Sequence, residues 1–198
     1  MKIIGLCGGS GSGKSTVCSL FATYGILPIN TDEIYHELLS FDSACRKEIS
    51  SVFDGVTRTD GTIDRAALGG VVFADEKKRK QLNAIAHKHV LNQVRDIIRR
   101  EGDNYYAAIV DAPLLFESGF DEECDLVVAV IASREERIRR ITVRDLISPE
   151  LAEKRISTQI SDAELTAKAD IIITNNGDMA SLSNEVLLAV LNIKNKLK

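Results

Sequence analysis

Residues 8–16 read Gly-Gly-Ser-Gly-Ser-Gly-Lys-Ser-Thr and follow directly on a short apolar run, KIIGL at 2–6. Glycine costs roughly 0.5–1 kcal/mol relative to alanine inside regular structure. A cluster of it where a strand gives way to a helix therefore needs a purpose, and closure of backbone amides around phosphates supplies one. The spacing Gly8-x-x-x-x-Gly13-Lys14-Ser15 matches the phosphate-binding loop GxxxxGK[ST]. Glycines let successive N–H groups point inward, and the helix that follows adds its positive N-terminal end. In such a loop Lys14 reaches the β- and γ-phosphates of a nucleotide and the Ser15 hydroxyl completes a magnesium site. Gly9, Gly11, Ser12, Gly13, Lys14, Ser15 and Thr16 are thus the candidate ATP-binding residues. The alternative is a flexible glycine turn that matches by coincidence.

The loop requires a strand before it and a helix after it, and the rest of the chain continues that alternation. Further short apolar runs suited to buried parallel strands are ILPIN (26–30), AAIVD (107–111), DLVVAVIA (125–132) and ADIIIT (169–174). Amphipathic segments lie between them. A helix is expected from Ser15 to Tyr24, and another from Asp32 to Leu39 behind Thr31 as its cap. Residues 75–101, 134–144, 148–160 and 179–197 also read as helices. Five strands alternating with helices predict an α/β fold of three αβα layers around a parallel sheet. Between the second and third strands lie about 75 residues with no convincing strand, far more than a direct crossover needs. The excess predicts a helical insertion, about 40–103, within one domain spanning 1–198.

Composition limits the partners. A formal net charge of −4 argues against a broad basic face for nucleic acid. Cys7, Cys18, Cys45 and Cys124 show no CxxC spacing and form no ligand set with His36, His87 and His89. Neither a disulfide framework nor a zinc site is expected, which makes a reducing cytoplasm the default location. No apolar run approaches the ~20 residues of a membrane span. The expected partner is therefore a small-molecule substrate, with no nucleic acid and no membrane, acting on a monomer or weak homo-oligomer.

Several polar residues fall where a doubly wound sheet places its ligand crevice, beyond the C-terminal ends of the strands. Asp32 follows the second strand. A carboxylate there can orient an acceptor hydroxyl and take its proton during in-line transfer, or it can simply favour the N-terminus of its own helix. Asp111 ends the third strand, either holding magnesium through water or serving as a polar strand end. The segment REERIRRITVRD at 134–145 is strongly charged, which usually means a solvated face. It follows the fourth strand, however, and about 138–160 could form a lid whose arginines neutralise transition-state charge. Arg140 and Arg144, spaced i,i+4 on one face, are the candidates. After the last strand, Asn175 and Gly177 in TNNGD either shape the nucleotide-base edge or form a plain turn.

Taken together, the motifs resemble the dephospho-CoA kinase family over most of the chain. The resemblance is carried by GLCGGSGSGKSTV (5–17), INTDEI around Asp32, PLLFESG (113–119), REERIRRITVRD, SPELAEKRISTQ (148–159) and AD-III-TNNGD (169–178). It implies ATP- and magnesium-dependent phosphorylation of the ribose 3′-hydroxyl of dephospho-CoA, on a five-stranded nucleotide-kinase core with a helical CoA-binding insertion and a lid. Asp32 would be the base. Three positions depart from the family's pattern, and all concern the acceptor. Asn30 stands where the first aspartate of DAD is usual, and His36 where arginine is usual. In the helical insertion, Ala86-His87-Lys88 retains only the histidine of THP. His36 and His87 are accordingly candidate substrate contacts. Two other functions stay open: another small-molecule kinase of the same fold, or a nucleotide-binding regulator without transfer activity.

Overall fold

In the computed structural model, which describes residues 1–73 and 75–197, the chain divides into two compact units. The first combines Met1–Ile29 with the chain from Glu101 onward; the second is the continuous segment Asn30–Arg100.

The first unit is built on a five-stranded sheet of order β2-β3-β1-β4-β5, made of β1 (Lys2–Cys7), β2 (Leu27–Asn30), β3 (Ala107–Asp111), β4 (Leu126–Ile131) and β5 (Ile171–Thr174). β1 pairs in parallel with both β3 and β4, and β4 with β5. Alternate residues of these strands, Ile4, Leu6, Ile109, Val128, Val130 and Ile173, turn to one face. There they pack with α1 (Lys14–Ala22) and α9 (Met179–Lys196) through Phe21, Leu182, Val186, Val190 and Ile193. Phe21 is fully buried, and burial of a side chain this size contributes roughly 1.5–3 kcal/mol. On the other face the PLLFESG segment returns to the sheet, where Leu115 packs directly over Gly5. A Cβ on Gly5 would stand 2.9 Å from a Leu115 methyl, so glycine is what admits that contact.

Three helices follow β4. α6 spans Arg134–Asp145, α7 Pro149–Ser157 and α8 Asp162–Lys168. The helix expected at 148–160 is α7, which stops at Ser157, and a further helix, not expected from the sequence, begins at Asp162. Its start is written locally: Ser161 accepts from the Glu164 amide while the Glu164 carboxylate accepts from the Ser161 amide, a complete capping box.

The second unit contains α2 (Thr31–Phe41), α3 (Ser43–Val52), α4 (Arg65–Phe73) and α5 (Glu76–Glu101), and one isolated antiparallel bridge, Thr57 to Ile63. Its own buried residues include Ile34, Leu38, Ile49, Phe53, Ile63, Leu68, Leu82, Ile85 and Val94. Glu48 of α3 accepts from Lys88 Nζ and pairs with His89 Nε2, each at 2.7 Å, tying α3 to α5. The cap of α2 is Asn30 rather than Thr31. The Asn30 side-chain oxygen accepts from the amides of Asp32 and Glu33 at 3.0 and 3.3 Å, and a shorter threonine hydroxyl one residue later would start the helix a residue late.

Candidate active site

β1 ends at Cys7, and the next residues cannot continue as strand. Gly11 and Gly13 have φ of +78° and +92°, in the left-handed region that a side chain disfavours. The turn brings the chain into α1, whose N-cap, Gly13, offers no side chain to its first amides. Those amides have no intrahelical acceptor, so they and the helix dipole are presented for an anion. Ser12 is 1% exposed and its Oγ has no hydrogen-bond partner among the described residues, a second polar group within the loop that they leave unsatisfied.

Around this loop the fold gathers most of the candidate residues. Lys14 forms an ion pair with Asp111 at the end of β3, both side chains largely buried. Arg140 of α6 donates to the carbonyls of Gly11 (3.2 Å) and Asn175 (3.0 Å). Asn175, also buried, donates from its side chain to the Ser12 carbonyl at 2.8 Å. A Cβ on Gly13 would collide with that amide nitrogen, which explains why Gly13 and Asn175 go together. Ser15 and Thr16 lie in the first turn of α1, Ser15 exposed. Gly177 lies in the turn from β5 to α9, where a Cβ would meet Ser181 at 2.9 Å.

The other candidates differ in their surroundings. Arg144 is exposed and donates twice to its neighbour Asp145, at 2.7 and 3.0 Å, and Asp145 also pairs with Arg155 of α7. Those bonds, from Arg144 foremost, hold the Asp145 carboxyl down at about 2. Arg134 pairs with Glu153 and Arg139 with Glu136, both on the surface, so part of the charged segment is a solvated face. In the second unit Asp32 is exposed in the first turn of α2, and its carboxylate makes no hydrogen bond or ion pair among the described residues. His36 bonds to Arg65 of α4, and His87 is half-buried on α5. Beside the loop, burial pushes the Cys7 thiol up to about 12, which leaves it neutral and unreactive as a nucleophile.

One close neighbour of the loop escaped the sequence reading. Arg137, 4% exposed, bonds to the loop itself and to Gln159 and Asp162. It stands four residues before Ile141, the buried apolar residue of α6. That spacing marks the inward face and is the signal that picks Arg137 out of the surrounding charges.

A parallel sheet with this strand order, a phosphate loop after its central strand, and cations gathered from neighbouring elements define a P-loop phosphotransferase of the small-molecule kinase type. The sequence matches the family model described as dephospho-CoA kinase over residues 2–181, and the chain belongs to that family. Among similar proteins, the dephospho-CoA kinase of Fusobacterium nucleatum is 39% identical, the match covering 94% of this chain and 95% of that one. That of Corynebacterium glutamicum is 35% identical, covering 93% and 94%. The solved dephospho-CoA kinase from Campylobacter jejuni superposes with a TM-score of 0.72 at 28% identity, over 100% of both chains. A shikimate kinase from Acinetobacter baumannii, at 20% identity and a TM-score of 0.56 over 100% of this chain and 96% of its own, shares the fold alone. No helix among the described residues is long and apolar enough to cross a membrane.

Proposed function

We propose that this chain transfers the γ-phosphoryl group of ATP to the ribose 3′-hydroxyl of dephospho-CoA, giving coenzyme A and ADP, in the cytoplasm and as a monomer or weak homo-oligomer. The observation that carries the reading is the phosphate loop, with its left-handed glycines, uncapped helix start and half-buried Lys14, in a chain of this family. Gly9, Gly11, Ser12, Gly13, Lys14, Ser15 and Thr16 hold the nucleotide phosphates, and Asn175 and Gly177 border the nucleotide. The 3′-oxygen attacks the γ-phosphorus as the bond to the β,γ-bridging oxygen breaks. ADP leaves with that oxygen, and the hydroxyl proton passes to the Asp32 carboxylate. Lys14, Arg140 and Arg144 balance the charge on the transferring group. The helical segment of about 40–103, with His36 and His87, receives the acceptor, and about 138–160 serves as the lid.

Magnesium fits the donor set. Among the described residues no group of three or more His, Cys, Asp or Glu side chains could hold a metal. Mg²⁺ needs no such cage, since it keeps several waters and takes one or two protein groups besides the phosphates. The Ser15 hydroxyl, with Asp111 acting through water, would hold it. When bound, it neutralises charge on the β- and γ-phosphates.

The test is release of ADP from ATP with and without dephospho-CoA. Release that depends on dephospho-CoA supports the reading. Release that depends instead on another alcohol in an acceptor panel transfers the chain to a neighbouring kinase activity, the alternative that Asn30, His36 and Lys88 raise. Binding of ATP with no release for any acceptor identifies a nucleotide-binding regulator.

A further inference from the structure

Ser10 sits at the tip of the phosphate loop, and two side chains from outside the loop take up all three of its polar groups. Its N–H donates to Gln159 Oε1 at 2.9 Å, its Oγ accepts from Gln159 Nε2 at 2.9 Å, and its carbonyl accepts from Arg137 Nε at 2.9 Å. Arg137 completes the ring by donating from Nη2 to Gln159 Oε1 at 3.2 Å, and its Nη1 pairs with Asp162 at 2.9 Å. One planar guanidinium thus meets three acceptors from the loop, the α7–α8 connection and α8. Only an arginine has a rigid fork of donors for that.

The packing is equally specific. A Cβ on Gly9 would overlap the Arg137 guanidinium, and one on Gly11 would stand 2.7 Å from the Arg137 carbonyl. These two glycines therefore admit Arg137 as well as phosphate. The side chain is 5% exposed, so its charge is desolvated and is compensated by Asp162 and the Ser10 carbonyl. A segment with glycines at 8, 9, 11 and 13 is otherwise free to sample many backbone shapes, and a ligand binding it would have to restrict them.

We propose that Arg137 is a positioning residue, assisted by Gln159, which holds the phosphate loop in its nucleotide-binding shape by gripping Ser10. It acts through the loop backbone and raises nucleotide affinity by ordering the loop in advance. The inference rests on the proposed use of ATP but not on the identity of the acceptor.

The test compares the full-length wild type with Arg137→Lys, Gln159→Ala and the double variant. Three quantities are measured: the Kd for ADP by calorimetry, the KM values for ATP and dephospho-CoA, and the melting temperature. Arg137→Lys keeps a cation opposite Asp162, so the fold persists, but one ammonium cannot reach all three acceptors. The expected result is a rise in ADP Kd and ATP KM of about tenfold for Arg137→Lys and about threefold for the exposed Gln159, with the KM for dephospho-CoA within twofold. Because both grip Ser10, the double variant should show less than the product of the two effects. Wild-type ADP affinity in both single variants overturns the proposal, as do multiplicative effects, or a lowered melting temperature with unchanged Kd. If the wild type binds ADP but ignores dephospho-CoA, only the acceptor reading fails, and the ADP measurement still decides the role of Arg137.

Discussion

Lys14 and Asp111 are joined by an ion pair between the residue that follows the last loop glycine and the last residue of β3. Their proximity follows from the sheet. β1 and β3 are neighbours with Leu6 beside Asp111, so the end of β3 lies next to the strand from which the loop springs. The cation expected to meet the nucleotide phosphates thus has a protein carboxylate as its partner, and phosphate binding requires Lys14 to exchange one anion for another.

Replacing Lys14 with methionine is expected to lower turnover by at least about 10². It also leaves the Asp111 carboxylate, 4% exposed, without its ammonium partner. Breaking a buried pair on one side costs about 3 kcal/mol, which thermal melting will register. A Lys14→Met/Asp111→Asn double variant should recover most of that stability and none of the activity. Recovery of neither shows that the pair is not what Asp111 contributes.

Asp32→Asn separates a base from a structural residue. Asn30 already caps α2, so the substitution should leave the melting temperature within a degree or two. Turnover is expected to fall toward the lower part of the roughly 10²–10⁴-fold range of general-base catalysis, because phosphoryl transfer needs little base assistance early on. ATP affinity should stay within a few-fold. A folded variant turning over within about threefold of wild type removes Asp32 from the mechanism.

For Arg140 and Arg144, the quantity to watch is the balance between kcat and KM. If they neutralise charge that develops during transfer, alanine at either position lowers kcat more than it raises the KM for ATP. Arg140 also holds the Gly11 carbonyl, so its variant should show some loss of ATP affinity where Arg144→Ala shows little. Wild-type kinetics in both assigns the pair to the surface.

Asp145 gives a pH dependence with a definite sign. Its carboxyl is held at about 2 in the folded chain by Arg144 and then Arg155, below the ordinary value near 3.9 that applies when unfolded. A depressed carboxyl stabilises the fold above the unfolded value and loses that contribution as pH falls through the folded one. Urea midpoints of wild type and Asp145→Asn should therefore differ most above pH ~4 and converge toward pH ~2. A difference that is constant with pH rules out the two arginines as the cause.

The parts of the site legible in the sequence are those whose physics is local. Binding phosphate through backbone amides needs glycines at fixed neighbouring positions, so Gly8 to Thr16 announces itself, and the apolar runs of all five strands mark the sheet. The cap of α2 was one residue off because asparagine and threonine both suit the position, and only the Asn30 bonds to two amides decide it. The start of α8 is written in the capping pair Ser161 and Glu164, just beyond the helix expected at 148–160, but a helix this short shows too little periodicity to stand out. The grip of Arg137 and Gln159 on Ser10 left almost no trace. Those partners are far apart in the chain, and hydrogen bonds between distant side chains impose no spacing. The pairing of Lys14 with Asp111 was hidden for the same reason.

The strand order also dictates a timetable. β1, which carries the phosphate loop, is hydrogen-bonded on both sides, to β3 and β4, and both are translated roughly a hundred residues after it. At a synthesis rate of about 5–20 residues per second, β1 spends on the order of 5–20 s without either neighbour. Meanwhile the whole continuous segment Asn30–Arg100 emerges and can collapse on its own apolar residues. During that interval Ile3, Ile4 and Leu6 form an unpaired apolar edge, the kind of segment that nascent chains must keep from sticking. The phosphate loop is thus made well before the two strands that flank its own strand, and slowed elongation between residues 30 and 107 would lengthen its exposure directly.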